Sequence, residues 1–209
     1  MSDPTLAKIL TRFEDIVAPA HTALVVWDVQ NALVERIFNR EAFLAQTAAL
    51  LAAARKAGVP MVYSKITPLA PEYESPSRTY MMMKRFGVDD PGKLPRFMEP
   101  GTPAAEIHEA VAPGAGEAVL PKHTASMFVG THFEAMMHNR GVRTILFVGI
   151  STEMGVASSA RDAVNRGFYT VVVRDCVSSP DQEMHEAALR ILERILIVVP
   201  SEQMIQAWA

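Results

Sequence analysis

Cysteine is almost absent from this 209-residue chain. The single Cys176 excludes any disulfide within the chain. Long apolar runs are absent too, since none approaches the roughly 20 residues that a membrane-spanning helix needs. The N-terminal stretch MSDPTLAKILTRFED carries neither an apolar signal core nor a cleavage site. We therefore expect a cytoplasmic protein that has no contact with a membrane.

An excess of charge of either sign is also missing. The chain has 20 Lys and Arg against 23 Asp and Glu, a net charge of −3, with both signs interspersed. No basic patch indicates nucleic-acid binding, and no basic amphipathic helix indicates a membrane surface. Hydrophobic residues make up 49 %, enough for a packed core. This composition favours a globular protein with a small-molecule partner.

Short apolar runs alternate with helical stretches along most of the chain. The strand-like runs span 22–27, 59–64, 117–120, 142–148, 168–173 and 195–199. The helical stretches span 40–57, 131–139, 153–166 and 181–194, and a last short helix ends at Trp208. Buried strands that alternate with helices indicate a parallel sheet covered on both faces. We predict one α/β domain over 1–209, a three-layer α/β/α sandwich around a six-stranded, Rossmann-like parallel sheet.

The segment 66–101 interrupts this alternation. It holds six prolines, and such a long insertion in a compact domain is typically a lid or a binding loop, or else a mobile excursion. Its Arg78 and Arg85 could bind a carboxylate or a planar group of a substrate, although a solvated basic loop explains them equally well. The run Met81–Met83 favours packing or a subunit contact.

Polar residues follow two of the predicted strands directly. Ligand sites of open α/β sheets lie at the carboxyl ends of the strands. Asp28 comes straight after the first strand and could act as a general acid or base, or simply cap the next turn. Lys122 follows the third strand and would keep a neighbouring carboxylate ionised, unless it is an ordinary surface lysine.

A turn rich in small residues, GISTEMG at 149–155, links the fourth strand to the next helix. Backbone N–H groups at the start of a helix can bind an anion or an oxyanion. An ordinary strand-to-helix loop with a Ser or Thr cap explains the same residues. The turn lacks the spacing of the phosphate-binding fingerprints.

Taken together, these segments resemble the isochorismatase-like cysteine hydrolases. The shared motifs are WDVQN around Asp28, the spacing K-x-x-x-S-x-F-x-x-T, and the turn-and-helix pattern G-[VI]-x-T-x-x-C-V-x-x-[ST]-A-x-D-A. They are matched by Lys122, Ser126, Phe128, Thr131, Gly149, Ile150, Thr152, Val156, Ser159, Ala160, Asp162 and Ala163. A Glu-x-x-His motif is matched only loosely, by Glu183 and His185. The resemblance runs from about residue 20 to residue 200.

The resemblance implies roles for these residues. In that family an Asp and a Lys, matched by Asp28 and Lys122, form a catalytic triad with a nucleophilic Cys. Positions matching Ile150, Ser151 and Phe128 contribute to substrate or oxyanion binding, and a cis peptide often precedes the residue matching Ser151. This chain departs from the pattern because Gly155 stands at the cysteine position.

A glycine cannot form a thioester, so the resemblance implies hydrolysis without a covalent intermediate. True isochorismatases also carry Gly there and cleave a vinyl ether with the Asp as acid, but their version of the turn is bulkier than STEMG. Asp28 and Lys122 could instead assist water attack on an amide, ureide or ring C–N bond. Cys176 follows the fifth strand, where the family usually has a small residue, and free cysteines are commonly buried, so a hydrolase that uses Cys176 is the least favoured of the possibilities.

Two further expectations concern cofactors and partners. The six histidines, at 21, 108, 123, 132, 138 and 185, show no usual ligand spacing, so we predict neither a metal nor a cofactor. The resemblance implies a homo-oligomer, a dimer or a tetramer. The alternative to a hydrolase is a family member that has lost catalysis and acts as a small-molecule binding or regulatory protein.

Overall fold

Six parallel strands form one sheet in the structure, a computed structural model that describes residues 9–95 and 97–209. The strands are β1 (Thr22–Trp27), β2 (Met61–Ile66), β3 (Ala118–Lys122), β4 (Thr144–Ile150), β5 (Tyr169–Ser178) and β6 (Ile197–Val199). Every residue of β1 and β4 is buried, which explains why these strands are continuous apolar runs rather than alternating ones.

Helices cover both faces of this sheet. They are α1 (Phe13–Ile16), α2 (Asn31–Val34), α3 (Arg40–Lys56), α4 (Pro76–Phe86), α5 (Phe133–Asn139), α6 (Ala157–Asn165), α7 (Gln182–Leu192) and α8 (Ser201–Ala207). The apolar sides of α3 and α8 belong to one core cluster, and those of α5, α6 and α7 belong to a second. The predicted three-layer α/β/α sandwich is confirmed.

The strand order is β3-β2-β1-β4-β5-β6. The chain moves outward from β1 through β2 to β3, then returns to the other side of β1 with β4. The strand order therefore reverses between β1 and β4, and ligands of open α/β sheets bind at the carboxyl ends of the strands beside such a reversal. Asp28 and the turn after Ile150 lie at this point.

The segment 66–101 differs from the predicted long loop, because it contains the 11-residue helix α4. Its ends carry ordinary helix signals. The Ser75 side chain accepts a hydrogen bond from the Arg78 N–H, Pro76 occupies the first helical position, and Gly87 ends the helix with φ 65°. The sequence hides this helix because none of its residues is buried, so no apolar stripe faces a core.

Strand β5 also extends beyond its predicted end, from 173 to Ser178. A register shift in the β4–β5 pairing, between Phe147 and Gly149, realigns the strands so that Val177 and Ser178 continue the ladder. This extension brings the end of β5 beside the turn that follows β4, where the Thr152 hydroxyl donates to the Ser178 carbonyl. In the part of the chain that the structure describes, no helix is both long and apolar enough to cross a bilayer.

Candidate active site

Asp28 and Lys122 form a buried ion pair at the carboxyl edge of the sheet. Lys122 Nζ lies 2.6 Å from Asp28 Oδ2, and the residues are 2 % and 4 % exposed. The strand that ends at Lys122 is separated from β1 by β2, so the long lysine side chain spans the end of β2 to reach the carboxylate. The sequence placed both residues at strand ends, and the structure places them in contact.

Ser64 on β2 is a third member of this cluster. Its Oγ donates a hydrogen bond to Asp28 Oδ1 at 2.5 Å and accepts one from the Asp28 N–H at 3.1 Å. Both carboxylate oxygens of Asp28 therefore have partners, one on β2 and the other on β3. Ser64 is not among the residues predicted from the sequence. The available signal was a polar residue within an apolar strand neighbouring β1.

Burial shifts the pKa values of both charged groups. It raises the pKa of Asp28 above its ordinary value, against the opposing effects of the Lys122 charge and the Ser64 hydroxyl. It lowers the pKa of Lys122, and although the nearby Asp28 counteracts this shift, the positive charge of Arg78 adds to it. Each charge thus stabilises the ionised form of the other against the effect of burial.

The indole of Trp27 completes the cluster. Lys122 Nζ lies 3.9 Å from the centre of the Trp27 ring, a cation–π contact. On another side, a Cβ atom at Gly155 would lie 1.9 Å from Trp27 Nε1, closer than any real contact. A Cβ at Gly149 would lie 2.0 Å from the Trp27 carbonyl oxygen, and Gly149 has φ 124°. The turn needs glycine at both positions because it packs directly on Trp27.

The turn itself runs from Ile150 into α6. The Ile150–Ser151 peptide bond is cis, and Thr152–Val156 form a π-helical turn that continues as α6. The Ile150 side chain is buried in the core, whereas Ser151 is partly exposed. This segment therefore presents backbone rather than large side chains beside Trp27.

His185 on α7 forms a hydrogen bond with the turn through Thr152. The buried Thr152 hydroxyl donates to the Ser178 carbonyl at 3.1 Å, which leaves its oxygen free to accept from His185 Nδ1 at 2.8 Å. Burial lowers the pKa of His185, which favours the neutral form of the ring. A displaced match to the Glu-x-x-His motif is the one sequence signal for this residue. The structure shows it as an anchor that joins α7 to the turn.

Gln30 and Asn31, from the WDVQN motif, are anchors as well. The Gln30 side chain is fully buried, accepts from the Ile66 N–H at 2.8 Å and donates to the Ala105 carbonyl at 2.7 Å. Asn31 Nδ2 donates to the Pro103 carbonyl at 2.7 Å. These bonds attach both ends of the long segment after β2 to the end of β1.

The other predicted substrate-binding residues occupy different environments. Arg78 Nη1 donates to the His123 carbonyl at 2.8 Å, which attaches α4 to the residue after Lys122. Arg85 is exposed in the last turn of α4. Phe128 is 7 % exposed and packs edge-on against Phe133 within the core. Arg78 is thus the one of these three whose charge acts on the ion pair.

Cys176 lies in the other layer of the core. It is fully buried in the cluster beneath α3 and α8, beside Thr47 and Ser201. Burial, together with the charge of Asp175, raises the pKa of its thiol far above the ordinary value. As for metals, no three His, Cys, Asp or Glu residues gather at a common point within 9–95 and 97–209.

Comparisons with known proteins place these features in a family. A family model described as the isochorismatase domain matches residues 22–203. Maleamate amidohydrolase of Pseudomonas putida is 38 % identical over 147 residues, which cover 69 % of this chain but only 63 % of that protein. Ureidoacrylate amidohydrolase RutB of Methylorubrum extorquens is 28 % identical over 193 residues, covering 82 % of this chain and 76 % of RutB.

Solved structures agree with the fold. A cysteine hydrolase from Pseudomonas syringae pv. phaseolicola matches with a TM-score of 0.79 at 21 % identity, over 100 % of this chain and 98 % of that one. An isochorismatase family protein from Burkholderia thailandensis matches with a TM-score of 0.73 at 25 % identity, over 90 % and 96 %. With the family model covering most of its length, the chain belongs to the isochorismatase family.

Proposed function

We propose that the chain is a small-molecule hydrolase that cleaves an amide or ureide C–N bond without a covalent enzyme intermediate. The observation that carries this proposal is the buried Asp28–Lys122 pair, with Nζ and Oδ2 2.6 Å apart, beside a turn that offers no nucleophilic side chain at Gly155. The amidohydrolase names of the relatives support the bond class.

Asp28 is suited to act as a general base. It would take a proton from a water molecule as the water oxygen attacks the substrate carbonyl carbon. When the tetrahedral intermediate collapses and the C–N bond breaks, Asp28 would return that proton to the leaving nitrogen. Burial moves the pKa of Asp28 toward neutral pH, and a group whose pKa lies nearer the working pH can both accept and return a proton more readily. Lys122 would keep Asp28 ionised between turnovers.

The turn after β4 would stabilise the negative charge that develops on the carbonyl oxygen. Backbone N–H groups at the start of a helix suit this role because they need no side chain. We infer that Ser151 and Gly155 provide these groups and that Ile150 orients the first of them. Phe128 and Arg85 stay predictions as substrate contacts. Arg78 is better placed to bind a carboxylate on the substrate.

Vinyl-ether cleavage is the second chemical version, with Asp28 as the acid that protonates the substrate. The same buried carboxylate with a raised pKa could perform it. The relatives named above act on amides and ureides, which favours C–N hydrolysis over this version. Isochorismate therefore belongs in the substrate screen as the compound that separates the two.

A catalytically inactive binding protein is the alternative function. Buried ion pairs seldom contribute net stability, and replacing one by apolar residues is often neutral or stabilising. A chain that no longer needed catalysis would gain little from keeping Lys122 and Asp28, which are 2 % and 4 % exposed. The persistence of the pair therefore supports an enzyme.

A substrate screen tests this proposal. Purified protein is incubated with maleamate, ureidoacrylate, simple amides and isochorismate, and release of ammonia or of the organic product is measured. Asp28→Asn should abolish turnover of the active compound. Asp89→Asn is the matched control, because this carboxylate pairs with Lys93 on the surface at 2.6 Å. No turnover of any compound, together with tight binding of one, would favour the binding protein.

We also propose a homo-oligomer, a dimer or tetramer, for this chain. Helix α4 exposes Tyr80 and Met81, which are 56 % and 61 % exposed, and Tyr73 just before it is 74 % exposed. Exposed apolar side chains grouped on one segment are typical of a protein contact. Light scattering after size exclusion should give a dimer or tetramer mass, and Met81→Glu should lower it. A monomer for the unaltered protein would contradict this.

A further inference from the structure

The two tryptophans of the chain differ in how their indole N–H groups are satisfied. Trp208 donates to the Val17 carbonyl at 2.8 Å. Trp27 as a residue is only 1 % exposed, and its N–H has no acceptor within residues 9–95 and 97–209, yet Nε1 is not one of the buried unpartnered atoms there, which are His21 Nδ1, Thr47 Oγ1 and Glu153 Oε2. The indole nitrogen therefore reaches accessible space, where it can donate to a water molecule or to a ligand oxygen that displaces the water. Trp27 therefore has a donor available at the candidate site.

The orientation of the ring shows where that donor lies. The atoms closest to a Cβ built on Gly155 are Trp27 Nε1, Cε2 and Cζ2, at 1.9, 2.3 and 2.6 Å. The N–H edge of the indole thus faces the Gly155 turn, where the substrate carbonyl is expected. The ring face is contacted by Lys122 Nζ, 3.9 Å from the ring centre. The indole lies between the ammonium group and the turn.

We propose that Trp27 is a substrate-binding residue whose indole N–H donates a hydrogen bond to a carbonyl or carboxylate oxygen of the substrate at the Gly155 turn. The same ring occupies the space that any side chain at 155 would need, so residues 27 and 155 form a coupled pair. The donor role rests on the proposed function, whereas the steric coupling does not depend on it.

The steric half is tested by a double-mutant cycle on stability. Gly155→Ala alone forces the indole to move, so its urea midpoint should fall clearly below that of the unaltered protein. In a Trp27→Val background the added methyl group has room, and Gly155→Ala should then lower the midpoint far less. An equal loss in both backgrounds would overturn the coupling. This cycle needs no substrate.

The donor half is tested with Trp27→Phe, which keeps an aromatic ring beside Lys122 and removes the N–H together with part of the indole volume. We expect kcat/KM for the compound identified by the screen to fall roughly 10- to 100-fold, the loss typical of one hydrogen bond to a charged oxygen. The urea midpoint of Trp27→Phe reports whether the fold is kept. Unchanged kcat/KM in a folded Trp27→Phe protein would refute the donor role.

A binding signal separates this inference from the proposed catalysis. In a Trp208→Phe background Trp27 is the sole tryptophan, so its fluorescence reports the site directly. Adding Asp28→Asn should prevent turnover, and maleamate should then still change Trp27 emission on saturation. A fluorescence response without turnover in the unaltered enzyme would disprove the hydrolase but keep Trp27 as a ligand contact. Turnover with no response would overturn the Trp27 assignment.

Discussion

The two faces of the sheet hold two different kinds of buried reactive group. Beneath α3 and α8 lies Cys176, a residue type that is a strong nucleophile when ionised. On the opposite side, the Trp27 indole belongs to the core cluster of α5, α6 and α7 and contacts the Asp28–Lys122 pair at the edge of the sheet. In the second region a carboxylate and an ammonium group lie in direct contact, with Lys122 Nζ 2.6 Å from Asp28 Oδ2.

The difference arises from surroundings rather than from residue type. Burial and the neighbouring Asp175 raise the pKa of the Cys176 thiol, and the groups beside it, Thr47 and Ser201, are neutral. In contrast, Lys122 and Asp28 each partly counteract the effect of burial on the other. The contrast predicts that substitutions in the ion pair abolish activity whereas substitutions at the thiol do not.

Asp28→Asn should have the largest effect. The amide keeps the shape of the carboxylate but cannot accept a proton from water, and general acid–base catalysis typically contributes about 10²- to 10⁴-fold. We expect kcat to fall by at least that range in a steady-state assay. Because the change leaves Lys122 buried without its counterion, circular dichroism must show that the protein is folded.

The double variant Asp28→Asn/Lys122→Met is the control for this prediction. It removes both charges, so it should recover stability relative to Asp28→Asn while activity stays lost. Full activity in a folded Asp28→Asn protein would refute the mechanism, whatever the substrate.

Lys122→Met should have the next largest effect and should also reveal the direction of proton transfer. Lys122 lowers the pKa of Asp28, so removing it raises that pKa further. If Asp28 is a base, it must be ionised, and the acidic limb of the kcat/KM profile should move to higher pH and narrow the active range. If Asp28 is an acid, activity should instead extend to higher pH. Profiles of both proteins on one substrate decide between these versions.

These experiments concern residues that the sequence could place only in part. Asp28 and Lys122 were predictable because each follows an apolar run, and parallel strands end at a common edge. Ser64 was not, because a serine in a strand says nothing about its neighbours until strand order is known. Trp27 was also missed, since an aromatic residue in a strand normally means packing, and its close packing on Gly155 depends on the fold of both segments.

The helix within 66–101 shows a different limit of the sequence. The overall fold was predictable because buried strands and amphipathic helices leave periodic patterns. Helix α4 has capping signals at Ser75 and Gly87 but no buried residue, so the spacing of its apolar residues does not indicate a helix. Its position near Lys122 depends on the hydrogen bond from Arg78 to a backbone carbonyl, which carries no sequence signal.

Ser64→Ala should produce a smaller effect of the same sign as Lys122→Met. The Ser64 hydroxyl donates to Asp28 Oδ1 and lowers the pKa of Asp28, so its loss should raise that pKa without removing the ion pair. If Asp28 acts as a base, the acidic limb of the kcat/KM profile should move to higher pH, but by less than in Lys122→Met. Thr170→Val, a buried hydroxyl that donates within its own strand region to the Phe168 carbonyl, is the matched control. An acidic limb that moves downward would contradict the role of Ser64.

Cys176→Ala should have the smallest effect on catalysis, because the thiol lies on the other side of the sheet from Trp27 and Gly155. The side chain is fully buried, so truncation should cost about 1 kcal/mol of unfolding free energy through the small cavity it leaves. The kcat and KM should remain within about twofold of the unaltered values. Iodoacetamide should likewise fail to inactivate the unaltered enzyme, since a buried thiol of raised pKa has little thiolate. Loss of activity in a folded Cys176→Ala protein, together with protection of the thiol from iodoacetamide by substrate, would show instead that Cys176 is the catalytic residue.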